Sequence, residues 1–65
     1  MSVSETHAAS DEDTRRAAFA ALVTAQDDGL SVGPSRRYVA DKFGLGLEKI
    51  RDIEREGLNK GWPPL

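Results

Sequence analysis

The chain has no cysteine, and its 65 residues include one histidine, one tryptophan, one tyrosine and two phenylalanines. Without cysteine there is no disulfide staple and no thiolate metal site, which fits a reducing compartment. The single histidine, His7, has no second candidate ligand near it and reads as a solvated side chain. The longest apolar run, Ala17 to Val23, is mostly alanine. It is far short of the ~18 residues that a membrane span needs. No basic stretch followed by an apolar one opens the chain, so no secretory signal is expected and a cytoplasmic protein is. No nucleophile–base pair can be assembled, and no glycine-rich phosphate loop follows a strand. Enzymatic activity, a cofactor and a metal are therefore not expected.

What is present points to helices. A chain this short forms one domain at most and buries only about 60% of the surface its unfolded form exposes. Helices suit that size because their backbone hydrogen bonds are local. The net charge is −2, but it is unevenly distributed. Residues 1–34 carry Glu5, Asp11, Glu12, Asp13, Asp27 and Asp28 against Arg15 and Arg16. Residues 35–65 carry Arg36, Arg37, Lys42, Lys49, Arg51, Arg55 and Lys60 against Asp41, Glu48, Asp52, Glu54 and Glu56. The mildly basic second half is compatible with nucleic-acid contact, although it lacks the basic stripe of a strong non-specific binder.

Residues 1–9 are small and polar with no period and are expected to form a disordered N-terminal tail ahead of a domain at 10–65. Ser10-Asp11-Glu12-Asp13 reads as a helix start, with Ser10 as cap and three acids at the positive end of the helix dipole. Phe19, Leu22, Val23 and Gln26 then fall on one face, and Gly29 is a natural stop. Gly33-Pro34 is a turn signal, and a second helix is expected from about Ser35 to Phe43. Gly44-Leu45-Gly46 forms a tight turn. A third helix starts near Leu47 and carries Ile50 and Ile53 inward. Gly57 falls on that inward side, as a close helix approach or an early helix end. Gly61 followed by Pro63-Pro64 is the stop. Trp62 either folds back on the core or stands exposed as an anchor for another protein.

These expectations make an all-α fold, a small three-helix helix-turn-helix bundle. In such a unit the second helix of the motif enters the major groove and the first lies across the backbone. Burying Ile50 and Ile53 turns Leu47, Glu48, Arg51, Asp52 and Arg55 outward, with Lys49 at one edge. Arg51 or Arg55 could contact guanine O6 and N7, Glu48 or Asp52 could accept from a cytosine amino group, and Leu47 could pack on a thymine methyl. Arg36 and Arg37, at the start of the second helix, could reach phosphates. The plain alternative is a self-neutralising, solvated face.

Val39-Ala40-Asp41-Lys42-Phe43-Gly44-Leu45, followed by Glu48-Lys49-Ile50-Arg51-Asp52-Ile53-Glu54, resembles the C-terminal promoter-recognition domain of bacterial housekeeping sigma factors. The family motif is a phenylalanine-glycine turn and a recognition helix in which Glu48, Lys49, Ile50, Arg51, Ile53 and Glu54 match in order, with Leu58 fitting a later leucine. The departures are Gly46 for a capping Ser or Thr, Leu47 for a basic residue, Asp52 for a base-contacting glutamine, and Gly57 for a small helix former. The family's basic tail is replaced by Gly61-Trp62-Pro63-Pro64-Leu65. The resemblance covers about 25 residues and implies a free-standing sigma-like module, not a complete sigma factor. The expectation is a sequence-specific module for double-stranded DNA, a small transcriptional regulator. Such a module covers a short site, so a homodimer would raise its affinity. The alternative is a protein-interaction or accessory subunit on the same scaffold, with RNA polymerase or another protein as partner and Trp62 as anchor. No membrane partner is expected.

Overall fold

The structure is a computed structural model that describes residues 11–65. The expected tail at 1–9, His7 and the expected cap Ser10 lie outside the described residues. Three helices follow one another: α1 (Glu12–Asp27), α2 (Val32–Phe43) and α3 (Leu47–Lys60). Each packs on the other two, and no strand occurs among the described residues. No helix among them is long and apolar enough to cross a membrane.

Local sequence accounts for most of the boundaries. Asp11 precedes α1 in extended conformation and makes no side-chain capping bond. Glu12 and Asp13 lie in the first turn, where the helix dipole favours negative charge. All three helices end in the same way. A glycine with positive φ is followed by an apolar residue whose N–H reaches back to a carbonyl five residues earlier. Leu30 N donates to Ala25 O at 3.0 Å, Leu45 N to Ala40 O at 2.9 Å, and Trp62 N to Gly57 O at 3.0 Å. This is the Schellman arrangement, which satisfies helix carbonyls that would otherwise have no partner. At Gly44 the backbone is left-handed, with φ 67° and ψ 34°, a conformation that costs a residue with a Cβ roughly 1–2 kcal/mol.

One boundary differs from expectation. The second helix begins at Val32, not near Ser35, and Pro34 is its third residue. The first turn of a helix tolerates proline because its N–H groups have no intrahelical acceptor. The first helical bond made from the α2 register is Ser35 N to Ser31 O at 2.9 Å, directly after the proline. Gly33-Pro34 therefore starts the helix and does not separate two elements.

The core consists of Ala18, Phe19 and Leu22 from α1, Val39 and Ala40 from α2, Ile50 and Ile53 from α3, and Trp62 from the tail. Phe43 and Leu45 are half-buried against it. Two features are absent from a simple apolar register. Ala18 and Ala25 are buried where α1 meets its neighbours, while Val23 is only half-buried. Ser35 is fully buried, and it is satisfied: its Oγ donates to Val32 O at 2.8 Å and accepts from Gln26 Nε2 at 3.0 Å. Gln26 falls on the inward face of α1 as its spacing requires, and the buried hydroxyl gives its amide a partner.

Trp62 is 2% exposed, so its role as an exposed anchor is overturned and the fold-back alternative holds. The reason is geometric. Gly61 turns the chain back at the end of α3, and the indole meets the Phe19 ring edge-on at 6.2 Å between centroids and 76° between planes. Arg16 and Lys60 lie 5.3 and 5.7 Å from its centroid. Two cations over one indole is a favourable electrostatic setting for the ring face.

Candidate nucleic-acid interface

The outward face of α3 follows from what its inward face buries. Ile50, Ile53 and Gly57 are buried in contact with the other helices. Leu47, Glu48, Arg51, Asp52 and Arg55 are exposed, and Lys49 is half-buried at the edge. Gly57 resolves to a close approach and not to a helix end: α3 continues for three more residues, and the Phe19 ring lies directly over its Cα.

Glu48, Arg51, Asp52 and Arg55 line one shallow, open, polar depression. A second depression beside it is lined by Arg36, Arg51, Glu54, Arg55 and Leu58. Arg51 and Arg55 belong to both, so they form the ridge between them. Arg37 is exposed on α2.

The ion pairs separate these residues into two groups. Arg36 donates to Glu54, with Nε at 2.9 Å and Nη2 at 2.7 Å from Oε1. Arg36 thereby joins α2 to α3. Glu54 is the cause: on α3 it lies toward α2, and its carboxylate is within reach of the guanidinium. Because α2 begins at Val32, Arg36 and Arg37 lie in its second turn and not at its start as expected. On the other side, Arg15 of α1 donates to Glu56 Oε1 at 2.8 Å, and Lys60 reaches the same carboxylate at 2.9 Å. The Arg15 bond above all, and then the Lys60 bond, lower the Glu56 carboxyl from its ordinary 4.5 to about 2. Arg15 is correspondingly raised by its bond to Glu56. Arg16 pairs with Glu12 one turn away at 3.0 Å.

Among the described residues no such pair involves Arg37, Glu48, Lys49, Arg51, Asp52 or Arg55. Glu48 and Asp52 stand one turn apart, as do Arg51 and Arg55, so like charges stack along the helix. Opposite charges at three-residue spacing do not close into ion pairs. The face carries two carboxylates and two guanidinium groups, so its formal charges balance without ion pairs among the described residues.

Sequence reasoning missed Glu54 and Glu56 as joints between helices. Glu56–Lys60 has a readable four-residue spacing, but Arg15–Glu56 joins residues 41 apart. Nothing local encodes that pair. Among the described residues no group of three or more His, Cys, Asp or Glu side chains is placed to hold a metal. Comparison of the chain with protein-family models, with curated proteins and with solved structures finds no match.

Proposed function

We propose that the chain is a sequence-specific DNA-binding module, a small cytoplasmic transcriptional regulator whose α3 enters the major groove. One observation carries the reading. The long charged side chains that join the helices are paired, whereas those on the outer face of α3 make no ion pair among the described residues. Charges held apart on an open helix face are available to base edges. The three-residue turn between α2 and α3 supports the reading, as does the resemblance of Val39–Glu54 to the promoter-recognition domain of housekeeping sigma factors. Arg37, in the second turn of α2, and Lys49, at the edge of α3, would then hold the phosphates on either side of the groove. Two copies on neighbouring half-sites would give the affinity that one short site lacks.

A protein partner is the second reading, and Leu58 favours it. This side chain is 59% exposed on α3 beside Arg51 and Arg55, and Leu47 is 46% exposed on the same helix. A mixed apolar and cationic patch of that kind also suits an acidic protein surface. Trp62 takes no part in it.

Fluorescence anisotropy of labelled duplexes across a salt series separates the two. On the first reading, binding weakens steeply with salt, and Arg51→Ala costs roughly 1–3 kcal/mol in specific binding. The same substitution leaves the melting curve in place because Arg51 is exposed. Equal duplex affinity for the two proteins would remove Arg51 as a base reader.

A further inference from the structure

We infer that the outer face of α3 reads two G·C base pairs, each through one arginine and one carboxylate. The inference rests on the duplex-binding reading above and specifies its target chemistry. Its starting point is the pair of acids. Glu48 and Asp52 share one depression with Arg51 and Arg55. Carboxylates repel phosphates, so they weaken any contact that is purely electrostatic. They fit a duplex only where the groove offers them hydrogen-bond donors. In the major groove those donors are the amino groups of cytosine and adenine. Adenine places its N7 acceptor beside its amino group, and thymine offers an acceptor and a methyl. The N7 acceptor weakens a carboxylate's contact with adenine, and thymine offers a carboxylate no donor. Cytosine offers its amino group without a neighbouring acceptor on the same base. Its partner guanine offers two acceptors, O6 and N7, which match the paired donors of a guanidinium. A G·C pair therefore satisfies one bidentate arginine and one carboxylate together, whereas an A·T pair offers a guanidinium no two acceptors on one base.

The helix carries two such couples, Glu48 with Arg51 and Asp52 with Arg55. The members of each couple are three residues apart, so they share a face. The second couple is the first displaced by four residues, about 6 Å along the helix axis. That displacement corresponds to one or two base-pair steps of ~3.4 Å, depending on how the helix tilts in the groove. The two G·C pairs are thus adjacent or separated by one pair. Neither couple is closed into an ion pair among the described residues, so no internal bond has to break before the bases are met.

The test is selection of the full chain on a random 20-base-pair duplex library at low salt, with Glu48→Gln and Asp52→Asn alongside. Both positions are exposed, and unchanged circular-dichroism melts would show both variants folded. The expected wild-type pool holds G·C at two positions at most one pair apart, each favoured roughly 5- to 150-fold over A·T. Each amide variant should shift one of those positions toward adenine, which an amide side chain reads through N6 and N7. A retained pool with A·T at those positions overturns the inference and leaves duplex binding standing. So does G·C enrichment that both variants preserve unchanged, because the contacts would then lie elsewhere. No retained duplex at low salt overturns the duplex reading and the inference with it.

Discussion

Phe19 on α1 lies against the backbone of Gly57 on α3, with no room between them for a side chain. A Cβ at Gly57 would fall within 3.0 Å of ring atoms Cγ, Cδ1 and Cε1. Phe19 is 1% exposed. Gly57→Ala therefore sets two effects against each other. Alanine favours a helix interior by about 1 kcal/mol over glycine, while overpacking a closed core costs about 1–3 kcal/mol. The expected net result is a loss of up to about 2 kcal/mol in urea unfolding. A more stable variant would show that α1 and α3 do not meet there.

Gly44 answers to a different force. No atom lies within 4 Å of the position a Cβ would take, so space is not the constraint. The left-handed backbone is. Gly44→Ala should cost roughly 1–2 kcal/mol, and Gly44→Asn less, since asparagine tolerates that conformation. Thermal melts of the two variants check the order. Equal losses would mean that steric contact, and not backbone conformation, sets the cost.

The Glu56 carboxyl, lowered to about 2 by Arg15 and then Lys60, makes part of the stability depend on pH. A carboxyl that is more acidic in the folded chain stabilises it above the ordinary value of 4.5, and that contribution disappears as pH falls toward 2. Wild type should therefore melt above Glu56→Gln at pH 7. The gap should narrow between pH 4.5 and 2. A gap that stays constant over that interval would mean that the Arg15–Glu56–Lys60 cluster does not hold α1 to α3.

Trp62 should behave as a core residue. Removal of a buried tryptophan side chain costs about 3–5 kcal/mol. Total stability for 65 residues is on the order of 3–10 kcal/mol. Trp62→Ala should leave a large unfolded fraction at room temperature by circular dichroism, and Trp62→Phe should be milder. A fully folded Trp62→Ala protein would return the indole to the surface.

Arg36 and Arg51 should part company. Arg36→Ala breaks the α2–α3 pair with Glu54, a partly exposed interaction worth about 0.2–1 kcal/mol of stability. Its effect on duplex affinity should be smaller than that of Arg51→Ala, measured by anisotropy at one fixed salt concentration. The reverse order would place Arg36 at the phosphates despite its bond to Glu54.

Much of this molecule is encoded locally. The glycine-then-apolar endings at Gly29-Leu30, Gly44-Leu45 and Gly61-Trp62 stop each helix, because the conformation they need belongs to glycine and the next residue supplies the closing N–H. The spacing of Ile50 and Ile53 was enough to orient α3 and so to place Leu47, Glu48, Arg51, Asp52 and Arg55 outside. The start of α2 was not legible in the same way. Gly33-Pro34 reads as a turn by composition, and only the absence of a needed N–H in the first helical turn lets it open a helix.

Residue order along the chain determined three helices, where the first two end, and which side of each is apolar, because those properties depend on neighbours within about four positions. The meeting of distant residues was decided only by tertiary structure. Packing chose Phe19 over Gly57, Gln26 on the buried hydroxyl of Ser35, Arg15 on Glu56, Arg36 on Glu54, and Trp62 inside the core. Each of these depends on how the helices cross, and the crossing is set by the fit of all three apolar faces together. Only that fit showed which charges are occupied in holding the bundle and which remain open on α3.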